Sequence, residues 1–354
     1  MSRKIVLQIW LVLVLAGWAI AAGPESPVTI MTQNMDAGTD QSFVVAALLR
    51  LDDITLQEAV DLTFLEVAAG MPGRRAGLIA AKIADRKPDL VALQEVSLWR
   101  VGPSPSAMAV AYDQLSLLLA SLEAKGAHYS VVAVNNLTDL TLPGHDIPFV
   151  GFTDRDVLLI RSDLRPPAFH LSDVHARTFA ASLPLPGVNV TAGWISAIVH
   201  MNNKLFRLYA THLSSPVPGV QAATDVQLAQ TNQLIYEMRN SAIPVVLCGD
   251  FNSDALHGGH IDDTPSVDMI HTAGYSEVWP AVHPGDPGKT WPIYSEDNPP
   301  PFFYRASTAL ERIDLFFSKG LTVVGAERVL STAPTPIPTP YGSDHAGVIA
   351  TFRF

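Results

Sequence analysis

The 354-residue chain holds a single cysteine, Cys248, which excludes an intramolecular disulfide and every multi-cysteine metal site. Charge is scarce too: 16% of residues are charged, and 23 Lys+Arg face 34 Asp+Glu for a formal net charge of −11. An acidic chain without basic runs is a poor candidate for gripping nucleic acid by charge alone. There is no internal repeat, and after residue 20 no apolar run is long enough to span a bilayer. What is abundant is apolar side chain. At 48% hydrophobic residues and a mean hydropathy of +0.22, a disordered or fibrous protein is excluded. The length suits one large domain or two small ones with a sizeable core.

The amino terminus reads as an address. Arg3 and Lys4 precede a nearly unbroken apolar run from Ile5 to Ile20, and Ala19 and Ala21 form an A-x-A arrangement behind it. This is the pattern of a cleaved secretory signal over residues 1–21, followed by a linker at 22–27 and one domain at 28–354. The expected location is therefore secreted or periplasmic, and an uncleaved membrane anchor is the competing reading. Export without disulfides is acceptable for a domain with a large core.

Short strand-like runs alternate with helical stretches. Val28–Met31, Leu90–Leu93, Tyr129–Val134, Val157–Ile160, Trp194–Val199, Leu205–Ala210, Val245–Cys248, Leu315–Phe317 and Val348–Phe352 read as strands. Helical spacing appears in Phe43–Leu49, Leu56–Ala68, Arg74–Ala84, Tyr112–Lys125 and Asp225–Arg239. The Pro/Gly-rich stretches Pro284–Pro301 and Ala333–Pro340 read as loops. Many short strands with a few helices, lacking a repeating βαβ rhythm, predict an α/β sandwich in one domain.

Apolar runs repeatedly abut polar clusters. Gln33-Asn34-Met35-Asp36, Gln94-Glu95, Thr211-His212 and Gly249-Asp250-Phe251-Asn252 each follow a strand-like run. Arg312-Ile313-Asp314 and Ser343-Asp344-His345 each precede one. In antiparallel neighbours the end of one strand lies beside the start of the next, so these clusters are expected on one rim of a sheet. Carboxylates, amides and two histidines gathered there suit a hard divalent cation and a phosphate.

This set of motifs resembles the endonuclease/exonuclease/phosphatase superfamily, which includes pancreatic-type deoxyribonuclease, abasic-site endonucleases, inositol polyphosphate 5-phosphatases and secreted sphingomyelinases. Order and spacing agree over about Val28 to Phe354, and GDFN with a downstream SDH is the specific pair. The resemblance implies a deoxyribonuclease I-like fold of two packed mixed β-sheets flanked by helices, a four-layer sandwich with the active site at one edge. It implies a metal-dependent phosphoesterase using Mg²⁺ (or Mn²⁺), with Glu95, Asp36 and Asp344 as metal ligands. Asn34, Asn252 and His212 are the implied phosphate contacts. Asp250 is implied to orient or deprotonate the attacking water, with His212, His345 and Asn252 stabilising the phosphoryl charge and Asp314 orienting His345. Asp154 and Asp156 sit where some members keep an acid beside the THL-type histidine, and surface charges are the alternative for them. Asp36 reads equally as a turn residue, and Cys248 reads as a small buried hydrophobe.

The substrate class stays open among nucleic acid, phospholipid and inositol phosphate, as does the number of ions. A monomer without an obligate protein partner is expected. The long segment between Asp36 and Lys87 resembles a subset of exported bacterial members. The Pro299–Tyr304 stretch reads either as a lipid-touching loop or as a strand packed on the core. A non-catalytic binding protein on the same scaffold is the alternative to an enzyme.

Overall fold

The computed structural model describes residues 27–354 apart from 52, 202, 298, 299, 301 and 331–340. The expected signal segment, nearly all of the linker, and the 333–340 loop lie outside the described residues. The first half runs β1 (Val28–Asn34), α1 (Ser42–Leu49), α2 (Leu56–Ala69), α3 (Pro72–Arg86), β2 (Leu90–Gln94), β3 (Leu98–Gly102), β4 (Ala109–Asp113), α4 (Gln114–Ala124), β5 (Tyr129–Pro143), β6 (Phe149–Arg161), β7 (Phe169–Thr178), β8 (Leu183–Leu185) and β9 (Val188–Val190). The second half runs β10 (Gly193–Met201), β11 (Lys204–His212), α5 (Gln221–Met238), β12 (Val245–Asp250), α6 (Ser266–Thr272), β13 (Ser276–Glu277), α7 (Val278–Val282), β14 (Tyr294–Asp297), β15 (Phe303–Ala306), β16 (Asp314–Lys319), β17 (Thr322–Val329) and β18 (Gly347–Arg353).

Two mixed sheets result. One follows β17-β18-β1-β2-β6-β3-β4 with β5 added on β6, and the other follows β13-β16-β12-β11-β10-β7. Alternate residues explain the layering. Val28, Ile30, Leu90 and Ala92 face Ile195, Ala197, Val199, Val246 and Cys248 between the sheets. On the far side of the first sheet, Met31, Val91 and Leu93 pack under Ile79 and Ile83 of α3 and Leu118 and Leu122 of α4. On the far side of the second, Leu247 and Phe317 pack under Leu234 and Met238 of α5. Central strands buried on both faces read as continuous apolar runs, which is why β1, β2, β12 and β16 are visible in the sequence. The architecture is the four-layer α/β sandwich expected.

The elements without a sequence signal are short or solvent-facing. β7 and β17 alternate weakly because much of their length is exposed, and β8, β9 and β13 span at most three residues. The Pro284–Pro301 stretch, expected as loop, contains strand β14, which pairs with β15 in a separate hairpin. Its prolines flank the strand, and the four-residue span is too brief for a period-2 pattern to register. The Phe302 ring packs edge-on against Phe43, and the Tyr304 hydroxyl donates to the Glu66 carbonyl at 2.9 Å, so this end of the Pro299–Tyr304 stretch is packed on the helical insertion.

Strand pairing brings the polar clusters to one rim. β1 and β2 are parallel with Asn34 opposite Gln94, and β11 and β12 are parallel with His212 opposite Asp250. β16 runs antiparallel to β12, placing Asp314 opposite Asp250, and β18 runs antiparallel to β1. The parallel pairs, not anticipated, gather carboxyl ends side by side; the antiparallel pairs add the starts of β16 and β18.

Gly249 shows how tightly the rim is built. Its φ is +145°, and a Cβ there would lie 1.8 Å from the Thr211 carbonyl oxygen. Gly249→Ala therefore strains both backbone and packing between β11 and β12, and we expect it to destabilise the fold by about 3 kcal/mol or more. A lowered urea midpoint with unchanged slope checks this; a midpoint equal to wild type contradicts it.

Candidate active site

Asn34 ends β1 fully buried, and its side-chain amide does two things at once. Nδ2 donates to Glu95 Oε1 at 2.8 Å and to Asp250 Oδ2 at 2.9 Å, joining a carboxylate of the first sheet to one of the second. The Asn34 Oδ1 accepts the Asp36 N–H at 2.8 Å, which fixes the amide's orientation. Glu95 follows β2 in a left-handed conformation (φ +53°), and its Oε2 accepts the Ala37 N–H at 2.7 Å. Asp250 is 1% exposed, and its Oδ1 caps the GDFN turn by accepting the Asn252 N–H at 2.9 Å.

Two histidines flank Asp250. His345 Nε2 lies 3.8 Å and His212 Nε2 3.9 Å from Asp250 Oδ2. The other ring nitrogen of each faces an acid: His345 Nδ1 is 2.9 Å from Asp314 Oδ2, and His212 Nδ1 is 3.7 Å from Asp156 Oδ1. Burial alone would keep both rings neutral, but the surrounding carboxylates prevail. Asp314, Asp344 and Asp250 hold His345 well above its ordinary range. Asp156, with Asp250 and Asp154, carries His212 up to about 10. The acids feel the reverse. Burial pushes Asp250 and Asp156 up, and burial with Asp36 and Glu95 nearby lifts Asp344 to about 7 despite His345. Asp154 also rises to about 7, through burial and the Asp156 and Glu95 charges, against the pull of His212. Both acids ahead of Val157 therefore face the His212 side of the site; Asp154 and Asp156 are not surface charges.

Each residue named from the sequence can now be placed. Glu95, Asp250 and His345 bring one ligand atom apiece within 4.8 Å of one another; the two carboxylates offer hard oxygens that suit a divalent cation, while the cationic His345 ring has no free lone pair to give one. Asp344 flanks this cluster, with Oδ1 3.8 Å from His345 Nε2 and Oδ2 accepting from the Trp291 indole at 2.9 Å. Asn252 sits beside it with φ +43°, its amide donating to the Leu213 carbonyl at 2.9 Å. Asp36 has other partners. Its Oδ2 accepts the Tyr294 hydroxyl and pairs with Arg75 at 3.0 Å, so it stands outside the cluster.

A sequence profile of the endonuclease/exonuclease/phosphatase family matches residues 68–345. The chain belongs to this family. Among curated proteins, none matches it. Solved structures share its fold. An endonuclease/exonuclease/phosphatase protein from Beutenbergia cavernae is 21% identical at a TM-score of 0.57, over 93% of this chain and 72% of that one. A mannosyl-6-phosphatase from Bacteroides thetaiotaomicron is 15% identical at 0.55, over 92% and 100%. TDP2 from D. rerio, complexed with a single-strand DNA product, is 16% identical at 0.52, over 93% and 100%.

Several residues that shape this family site were given no role from the sequence. Gln227 of α5 is fully buried; its Nε2 donates to the carbonyls of Ser214 and Asn252 at 2.9 and 2.6 Å, and its Oε1 accepts Thr264 and Ser266 hydroxyls. Thr290 Oγ1 accepts the N–H groups of Ile313 and Asp314 at 3.2 Å each, steadying the partner of His345. Ser343 Oγ donates to the Asn34 carbonyl at 2.7 Å, tying the SDH turn to β1. Gln227 reads as an ordinary helix residue until the fold is known, and the SDH motif gives no sign that its serine ties the turn to β1.

The His212 shift has a direction for stability. Its folded pKa of about 10 exceeds the ordinary 6.5, so its contribution is fully present below 6.5 and fades as pH rises toward 10. The destabilisation caused by His212→Asn, measured by urea unfolding against wild type, should therefore be largest near pH 6–7 and shrink by about pH 10. A destabilisation that grows with pH contradicts the assignment.

Proposed function

We propose that the protein is a divalent-metal-dependent phosphoesterase that hydrolyses a P–O bond by in-line attack of water. The observation that carries this reading is the joining of Glu95 and Asp250 by the Asn34 amide, with the Asp314-backed His345 beside them. Two acids held this close, with Asp250 fully buried, are unfavourable without cationic neighbours. The carboxylate of Glu95, with Asp344 at its flank, would hold Mg²⁺ or Mn²⁺; such an ion, when bound, supplies polarisation of a phosphoryl oxygen and charge stabilisation for the departing one.

The chain's own residues supply the rest. Asp250 is placed to hold a water and take its proton, and burial raises its basicity for that task. His345, charged and steered through Nδ1 by Asp314, presents Nε2 to the phosphoryl oxygens. His212, charged through Asp156, presents its Nε2 from the other side of Asp250. Asn252 is held beside them by Gln227 and Leu213 as a neutral phosphate contact. Export through the amino-terminal signal is part of the same proposal and would place the activity outside the cytoplasm. The substrate classes to test are nucleic acid, phospholipid, inositol phosphate and, given the Bacteroides neighbour, a sugar phosphate.

The test is a hydrolysis panel over those substrates and a bis-arylphosphate ester, with Mg²⁺ or Mn²⁺ and with chelator. Activity on at least one substrate, abolished by chelator, is the expected result. Glu95→Ala and His345→Ala should each lower turnover on the order of a hundredfold or more, with an unchanged circular dichroism spectrum. Silence on the whole panel by folded protein would favour a binding protein on the same scaffold.

A further inference from the structure

Asp36 stands out among the acids of the rim because a cation of the chain already occupies it. Arg75, in the first turns of α3, is 1% exposed. Its Nη2 lies 3.0 Å from Asp36 Oδ2 and also donates to the carbonyls of Met35 and Asp36 at 2.6 Å each, and its Nε donates to the Gly342 carbonyl at 3.1 Å. Those acceptors belong to the turn after β1 and to the segment before Ser343, the two stretches that present Asn34 and Asp344–His345. Asp36 is equally committed. Oδ1 accepts the Gly38 N–H at 2.5 Å, and Oδ2 accepts the Tyr294 hydroxyl besides its pairing with Arg75. The passage is filled as well: a Cβ on Gly38 or Gly70 would come within 3.4 or 3.5 Å of Arg75 Nη1.

We infer that Arg75 is a built-in cation that withdraws Asp36 from the ion-binding set, so that a divalent ion on the Glu95 side is held without it. This rests on the reading of Glu95 as a metal anchor. Beyond Glu95 and Asp250, the acids on that side are Asp36, with both oxygens taken, and Asp344, with Oδ2 bound to the Trp291 indole. Asp154 and Asp156 face His212 on the other side, and Asp314 is engaged by His345. Moving Asp36 onto a metal would give up its 3.0 Å pairing with a buried guanidinium that stays charged.

The test is Mn²⁺ binding to the full chain, read by electron paramagnetic resonance. Among the described residues, Asp61, His145 and Asp146 also bring ligand atoms within 4.8 Å, so ions are assigned by variant and not by total count. Wild type should bind an ion that Glu95→Gln abolishes, and Asp36→Asn should change its affinity by less than about threefold. Arg75→Met, which frees Asp36, should gain one ion that the double variant Arg75→Met/Asp36→Asn lacks. A tenfold or greater loss in Asp36→Asn, or no gained ion in folded Arg75→Met, overturns the inference. Where Arg75→Met does not fold, Asp36→Asn decides alone. Absence of any Glu95-dependent ion is a different failure, since it removes the metal reading itself.

Discussion

One side-chain amide holds the two halves of this site together. Asn34 donates from the end of β1 to Glu95 in its own sheet and to Asp250 in the facing one. Without those two N–H bonds, the carboxylates would have every electrostatic reason to part. The amide can bridge them because β1 lies beside β2, while β12 packs across the sandwich core with Val246 and Cys248 against β1 and β2 residues. Core packing thus sets the separation of the functional acids, and side-chain hydrogen bonds only refine it.

The same region concentrates charge that an ordinary interior would exclude. Asp154, Asp156, Asp250, Asp314 and Asp344 crowd around two histidines, and each histidine is kept cationic by the acids it separates. The two imidazoles are thus fixed positive groups with acids behind or beside them. In the proposed reaction a divalent ion would offset the surplus of acids and let an anionic phosphate approach. The helical insertion between β1 and β2 participates. Through Arg75 on α3, and through Glu66 on α2 accepting the Thr39 hydroxyl at 2.5 Å, it braces the turn that follows Asn34.

Much of the fold and most of the site are legible in the sequence, for a physical reason. Strands buried on both faces must be apolar throughout, so a polar string at their ends stands out. Asn34, Glu95, His212, Asp250 and Asp314 all occupy that position. The GDFN and SDH strings add identity because each residue in them has a separate job, Gly249 included. What was hidden lies in elements that look ordinary. Arg75 and Gln227 sit on helices where a polar residue reads as solvent-facing, and only the packing of α3 and α5 turns them inward. Asp36 illustrates the limit from the other side. Its motif gives no sign that its carboxylate pairs with Arg75, 39 positions away on a helix. The β14–β15 hairpin was hidden because flanking prolines and four-residue strands give no periodicity to detect.

In the proposed enzyme the rim residues converge around a hard cation held by Glu95. The most direct measurement is anomalous diffraction from crystals soaked with Mn²⁺ and a non-hydrolysable phosphate ester. The prediction is a strong peak at about 2.0–2.2 Å from the Glu95 carboxylate, with the phosphate oxygens within hydrogen-bond reach of His345 and His212. A peak confined to Asp61, His145 and Asp146, with none at Glu95, would contradict it.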